Sequence, residues 1–481
     1  MNAEEKRNYT YSVIYRLSVL ILPLIVTPYV ARVLGAEQVG LYAFSSTVAC
    51  YFIMLAKLGL DNYGNWSIAS CRDDLEKRSR VFWGIFILQL ITSVLSILIF
   101  ALLILTAFRE NRMIYWLQLL YVGSALFDVS WFFYGMEKFK IVTIRSVIAR
   151  LLIIAGVFIF VHSESDLWIY TGIMSACFLF EQLQLIPFLL HQVKRVTLRR
   201  EDIAGHILPN IKLFIPLLAL SMYHWMDRIM LGVMAGSTAI VAFYTYAEYM
   251  INLPKGILSA LDAVMLPRIS GLVAREQAEE GLQKMRNSLR FNSFVSCALC
   301  FGIAGVSTVF MPWFLGPGFS PTILLTMELA IVMIPMSINS VVQTQYLIPF
   351  KKEKVFIQSV TLGAAAKFVL NLILIPVYGA SGAVIGTLIV ELAVCAYQMY
   401  RIRSIYSFGQ LVKVLLPFLL CGSAEFAVTY ALSGLPINPP LLLLIQVCAG
   451  GAVYLAGCSL YLILIRKEYL SLKDMIQTLR Q

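Results

Sequence analysis

Glu248, Lys255 and Asp262 stand seven residues apart inside an otherwise apolar run. Seven steps of an α-helix drift by only about 20°, so the three charges fall on one stripe. Upstream, within the same stretch from Ser221 to Arg268, Asp227 and Arg228 are adjacent. His224 and Ser221 lie four and seven residues before Arg228 and give that segment a polar face. A charge at the centre of a bilayer costs about 3 kcal/mol on insertion scales, so these side chains must face a polar cavity or a partner charge. Two chemistries are open to them. Fixed Lys and Arg can hold an anion, Arg through bidentate contacts and Lys as a point charge. The carboxylates can neutralise cations across helices, or exchange a proton or Na+.

The chain around them is 59% hydrophobic and 14% charged, with a mean hydropathy of +0.80. A soluble domain averages about 25% charged residues, so this is a polytopic membrane protein. Its net charge of +11 is spread over short loops between apolar runs, not gathered into a patch, which excludes nucleic acid as the partner. Nine cysteines lie mainly in apolar segments and imply no disulfide framework; Cys297 and Cys300 read as buried thiols. His224 has no second ligand at useful spacing, so no metal site is expected. Neither a phosphate-cradling Walker loop nor a Ser-His-Asp arrangement is present, and no soluble catalytic domain interrupts the apolar runs. The chain reads as a non-enzyme without a cofactor, H+ or Na+ coupling aside. The run from Ser12 to Leu34 is too long for a signal-peptide core and lacks a cleavage pattern, so it reads as a retained first span.

Runs of about 20 apolar residues, the length that crosses the hydrocarbon, number fourteen. They cover roughly 12–34, 39–60, 81–107, 113–134, 141–161, 168–190, 208–234, 239–266, 291–315, 323–350, 355–376, 378–400, 411–432 and 441–465. With the N-terminus inside, the cytoplasmic loops and tails hold 27 Lys and Arg, Arg145 among them, and the outside loops only Arg109 and Arg112. Both termini are therefore expected in the cytoplasm. Leu34 to Ala43 resembles Ala235 to Tyr244, a repeat that matches Gly35 with Gly236 and joins the first span to the second and the seventh to the eighth. Six spans per repeat give parallel lobes. The expected organisation is an N-terminal lobe over 1–206, a C-terminal lobe over 207–404, and spans 13 and 14 with a cytoplasmic tail over 405–481. The fold class is thus all-α integral membrane, two six-helix lobes plus two C-terminal helices.

Subtracting the loops leaves Arg16, Arg32, Lys57, Arg150, Lys212, Arg228, Lys255, Lys367 and Lys413 within spans or at their ends. Those near an end can snorkel to the headgroups. Lys367 has Asn371 one turn on, and Ser46, Cys50, Lys57 and Asp61 fall on one face of the second span. The acids within spans are Asp61, Asp128, Glu181, Asp227, Glu248, Asp262, Glu328, Glu391 and Glu425.

The segments Met226-Asp227-Arg228-Ile229-Met230-Leu231-Gly232, Val241 to Ala247 and Met265 to Ser270 resemble the Wzx polysaccharide-export flippases of the multidrug/oligosaccharidyl-lipid/polysaccharide (MOP) exporter superfamily. So do Val33-Leu34-Gly35 with Gly40-Leu41-Tyr42, Leu315 to Phe319, and Pro376 to Ala383; together the matches extend over residues 12 to about 400. The resemblance implies two helical lobes around a central cavity that opens alternately to either side of a bacterial cytoplasmic membrane. Its implied cargo is an undecaprenyl-diphosphate-linked oligosaccharide, with a polysaccharide polymerase and glycosyltransferases as pathway partners. A diphosphate in such a cavity needs fixed positive charge, for which Arg16, Lys57, Arg228 and Lys255 are the leading candidates. Arg32, Lys367, Asn371 and His224 are further cavity candidates, and Asp61, Asp128, Asp227, Glu248 and Asp262 are candidates for ion coupling or charge balance. Three other functions fit less well. A lipid II flippase shares the cationic cavity but matches these motifs less closely. A multidrug exporter with cationic cargo calls for an acidic cavity. A membrane-embedded oligosaccharide polymerase calls for a sizeable outside loop, and here those loops are short.

Overall fold

Gly35 divides the first helix. Its backbone takes φ 74° and ψ 171°, a region that only glycine enters without strain, inside a helical run from Ala3 to Lys57. A straight helix of that length would span about 80 Å at 1.5 Å per residue, far more than one bilayer, so the break makes two spans of it. Gly236, its counterpart in the repeat, has φ 72° and occupies the matching turn between the seventh and eighth spans. The two glycines therefore share a positive φ as well as a sequence context.

The computed structural model describes residues 22–461 and 463, apart from the side chain of Ile257, and the helical backbone of residues 3–21. The described residues are helical, with no strand among them. The helices are α1 (Ala3–Lys57), α2 (Leu60–Ala69), α3 (Leu75–Thr106), α4 (Arg112–Gly123), α5 (Ser130–Gly135), α6 (Phe139–Phe160), α7 (Leu167–Leu183), α8 (Ile186–Leu190), α9 (Arg200–Ala204) and α10 (Ile207–Met234). They continue with α11 (Thr238–Ala274), α12 (Ala278–Leu315), α13 (Pro321–Val342), α14 (Glu353–Tyr378), α15 (Ala380–Arg401), α16 (Phe408–Leu432) and α17 (Pro439–Tyr461). Twelve stretches are long and apolar enough to cross a membrane, and a further pair, Thr238–Gly256 and Leu258–Ala274, bends by 41° within α11. Counting that pair once and dividing the first stretch at Gly35 gives the fourteen spans expected.

Packing separates the chain into two units, Met1–Ala242 and Phe243–Gln481. This boundary differs from the repeat boundary at 206/207 because α10 packs on α1 and so belongs with the first unit. One end of the first unit is held by an apolar cluster of Leu60, Phe82, Trp131, Phe132 and Leu185, all fully buried. Here Phe82 stacks on Trp131 with ring centroids 5.6 Å apart. In the second unit α15 lies tightly on α14: a Cβ on Gly382 would meet the Leu374 carbonyl oxygen at 2.2 Å. Small residues let membrane helices approach this closely where there is no hydrophobic drive to pack them.

Within the first unit the same device joins α1 to the start of α11. A Cβ on Gly40 would fall 1.7 Å from the Thr238 carbonyl oxygen, a backbone atom that cannot rotate away. Gly123, with nothing within 4 Å of its Cβ position, has no such constraint. Gly40→Val is expected to destabilise the protein by about 3 kcal/mol, as overpacking does, and Gly123→Ala to leave it unchanged; thermal unfolding in detergent followed by size-exclusion fluorescence separates the two.

Candidate functional site

Lys57 is the last residue of α1, where Leu58 takes φ 49° and turns the chain into α2. That turn brings Asp61, in the first turn of α2, to 2.6 Å from the Lys57 ammonium. On the other side Asp128 Oδ2 accepts from Lys57 Nζ at 2.7 Å. Asp128 lies where the fourth span breaks between α4 and α5. Its Oδ1 accepts from the Ser130 amide at 3.0 Å and from the Ser130 hydroxyl. Gln89 of α3 donates to the freed carbonyls of Ala125 and Asp128 at 2.7 and 2.9 Å, and its Oε1 accepts from the Trp131 indole at 3.0 Å. A broken membrane helix persists where neighbours re-satisfy its backbone in this way.

The ammonium opens onto a cavity of about 410 Å³. Lys57 and Asp61 line it together with Tyr121, Ser221, His224 and Trp225. Tyr51 braces the Trp225 wall: its hydroxyl donates to the Ser221 carbonyl at 3.2 Å, and its ring meets Trp225 edge-on at 5.8 Å. The walls thus offer one cation beside its paired carboxylate, two aromatic faces, two hydroxyls and an imidazole, a set suited to an anionic group carrying polar, ring-shaped substituents once the carboxylate gives way. Asp227 is buried and Arg228 half-buried on α10. Arg228 is within electrostatic range of Cys50, which also lines the cavity, and Asp227 within range of Tyr51. Arg32 is exposed. Arg16 lies outside the residues whose side chains are described.

In the second unit Lys255 sits at the bend of α11, beside Pro254. Its Nζ is 4.0 Å from the Met336 sulfur, and the charges within range are those of Glu391, Glu248 and Lys367. The seven-residue stripe is not a continuous one. Beyond the bend, Asp262 accepts from Ser340 Oγ at 2.5 Å and from Gln345 Nε2 at 3.0 Å, at the π-helical turn Gln343–Leu347 that follows α13. Glu391 of α15 takes the place expected of Asp262; it accepts from Asn339 Nδ2 at 2.7 Å and is 3% exposed. Lys367 and Asn371 are buried on α14, Asn371 against Gly386 of α15.

The structure therefore joins Lys57, Asp61, Asp128 and His224 around one cavity, and Lys255, Glu248 and Lys367 in one cluster of the second unit. Tyr121 and Trp225 are not among the residues the sequence points to, and Glu391, named there as an acid within a span, is not among the site candidates. For Glu391 the signal was present, an acid in an apolar run of twenty residues. Arg145 departs from expectation: it is no loop cation but a buried residue of α6, donating to the Glu181 carbonyl and to Gln182 Oε1, each at 2.7 Å. Among the described residues no group of three or more His, Cys, Asp or Glu is arranged to hold a metal.

Fourteen spans in two units, with an ion-paired lysine opening onto a cavity, are those of a multi-pass membrane protein. The fold is shared with solved transporters of that kind: it matches "Lipid II flippase MurJ, inward closed conformation" at a TM-score of 0.72 and 17% identity, over 94% of this chain and 99% of that one. It also matches an inward-facing multidrug resistance MATE family transporter of the MOP superfamily, at a TM-score of 0.61 and 13% identity, over 82% of this chain and 98% of that one. By sequence, residues 6–273 match the family described as "Polysaccharide biosynthesis protein". The chain belongs to that family. A protein of Escherichia coli (strain K12) named "Putative O-antigen transporter" is 25% identical over 404 residues, 83% of this chain and 97% of its own. One of the same name from Shigella dysenteriae is 24% identical over 395 residues, 80% of this chain and 96% of its own. Relatives named as transporters thus match most of the chain's length, and its fold is that of solved transporters.

Asp128 is the fixed member of the ion-paired cluster, since it also organises the break before α5. Asp128→Ala is expected to cost about 3 kcal/mol by leaving Lys57 short of a buried partner. Joining it with Lys57→Met should recover most of that loss, which a double-mutant cycle on thermal unfolding measures.

Proposed function

We propose that this protein is a flippase that carries undecaprenyl-diphosphate-linked oligosaccharide repeat units from the inner to the outer leaflet of a bacterial cytoplasmic membrane by alternating access. The observation that carries the reading is the fixed ammonium of Lys57 in a cavity whose walls are aromatic and hydrogen-bonding. A diphosphate in a low-dielectric site needs such a cation, and sugars need ring faces and hydroxyl partners. The family match and the relatives named for O-antigen transport support an oligosaccharide as cargo. They favour it over lipid II, because the likeness to the lipid II flippase is one of fold.

On this reading the two repeats, 1–206 and 207–404, are the moving lobes, and 405–481 is an appendix. Arg16 and Arg228 act with Lys57 on the diphosphate, Lys255 is the second unit's candidate for the same role, and Arg32 and His224 contact the cargo more peripherally; Lys367 and Asn371, buried on α14, belong to the surroundings of Lys255. The protein works between the glycosyltransferases that build the repeat unit and the polymerase that consumes it. Both termini lie in the cytoplasm, as the bias of basic residues toward one side supports, 26 to 2 with Arg145 left out. A fluorescent protein fused at Gln481 is then expected to fold and fluoresce, and a dark fusion at normal protein level would reverse the topology.

The cargo is tested in cells lacking their own flippase of this pathway. Lys57→Ala is expected to lower outer-leaflet delivery of the lipid-linked oligosaccharide at least tenfold, the loss of roughly 1.4 kcal/mol or more expected for a charged hydrogen bond. Lys57→Arg should retain part of it. Unchanged delivery by Lys57→Ala at equal protein level would remove Lys57 from the site. In proteoliposomes made with the same variants, an imposed pH or Na+ gradient reports coupling. Asp262→Asn or Glu248→Gln should blunt the response, and a response unchanged in both would end their part in it.

A further inference from the structure

The two carboxylates that hold Lys57 are held very differently themselves. Asp128 has a side chain 11% exposed and is fixed by the Ser130 amide and hydroxyl as well as by the lysine. Asp61 has a side chain 60% exposed and lines the cavity. It lies in the first turn of α2, a ten-residue helix whose N-cap, Gly59, supplies no side chain to the free amides there. A carboxylate at that position keeps a favourable interaction with the helix N-terminus even when it lets go of its lysine. Breaking the Lys57–Asp61 pair therefore costs little on the Asp61 side, whereas breaking Lys57–Asp128 strips a buried group.

Charge makes one of the two pairs give way. Lys57, Asp61 and Asp128 sum to one negative charge when all are ionised. Lys57 and Asp61 line the cavity together, so a diphosphate that reaches the ammonium contends with Asp61 for it. Resting on the reading of this cavity as a diphosphate site, we propose that Asp61 is a built-in competitor of the cargo's anionic group. It satisfies Lys57 while the cavity is empty and swings out to the α2 N-terminus when a diphosphate oxygen takes its place; Asp128 stays and keeps the ammonium aimed. The pairing sets a threshold that a neutral polyprenol sugar does not cross, and it lowers the affinity enough for release on the far side.

The test is calorimetric titration of the purified full-length protein with two probes, inorganic pyrophosphate and undecaprenyl diphosphate. Asp61→Asn is expected to bind pyrophosphate roughly two- to fivefold more tightly, the range set by an exposed ion pair. In a Lys57→Met background the same change should have no effect. Glu76→Gln, which removes an exposed acid outside the cavity, is the control for general charge and should leave the affinity as it was. Unchanged or weaker binding by Asp61→Asn overturns the proposal. So does tightening that persists in the Lys57→Met background or that Glu76→Gln reproduces, and so does a folded wild-type protein that binds no pyrophosphate. The lipid probe decides the cargo separately. If pyrophosphate responds as expected and undecaprenyl diphosphate binds no better than undecaprenol, the competitor stands and the flippase reading falls.

Discussion

A charged side chain inside a bilayer must find either an opposite charge or water, and the two units solve this in different ways. In the first, the Lys57 ammonium sits between Asp61 and Asp128 at 2.6 and 2.7 Å and faces a cavity. The surrounding architecture follows from that need. The fourth span breaks at Asp128 so that the acid can reach the lysine, and the break is tolerable because Gln89 takes up the stranded carbonyls of Ala125 and Asp128. Gln89 in turn is positioned by Trp131, whose ring belongs to the apolar cluster with Phe82. A packed aromatic core at one end of the unit thus fixes an ion pair at the wall of its cavity.

The second unit spreads its charges instead of clamping them. Lys255 touches a methionine sulfur, with Glu391, Glu248 and Lys367 at longer range. Both principal acids there are committed to neutral donors, Glu391 to Asn339 and Asp262 to Ser340 and Gln345. The bend of α11 at this point belongs to the same arrangement. It carries Asp262 away from the face of Lys255 and onto the π-turn after α13. A π-turn places one extra residue in the helix and is often found where a site needs an off-register side chain, here Gln345.

What was legible in the sequence follows from which constraints are local. The bilayer imposes about 20 apolar residues per span whatever the packing, so fourteen spans could be counted, and the turn glycines Gly35 and Gly236 could be matched before their backbone angles were known. The positions of charges inside spans were equally plain. Their partners were not. Lys57 and Asp128 are 71 residues apart and meet only because a span breaks between them. The Glu248–Lys255–Asp262 stripe presumed a straight helix, and a bend of 41° at its middle invalidates the 100° rule for its two halves. Arg145 lay within reach of a loop in the sequence, and its burial depends on acceptors from α7, which no local pattern announces.

Asp61 shows how far a local reading can carry and where it stops. Spacing of four from Lys57 correctly pairs the two, yet a continuous helix would make that pair an ordinary helical ion bridge between fixed side chains. The turn at Leu58 changes its character. It ends α1 at the lysine and starts α2 at the acid, so the acid keeps a favourable position at a helix N-terminus when it parts from the lysine. An ion pair in which one member can leave cheaply and the other is anchored is asymmetric, and asymmetry is what a transport site requires. In the proposed cycle the same cation is neutralised when empty, exposed to cargo when it arrives, and neutralised again on release. A symmetric clamp of two buried acids would hold Lys57 too well to exchange, and a bare lysine would bind a diphosphate too well to let it go.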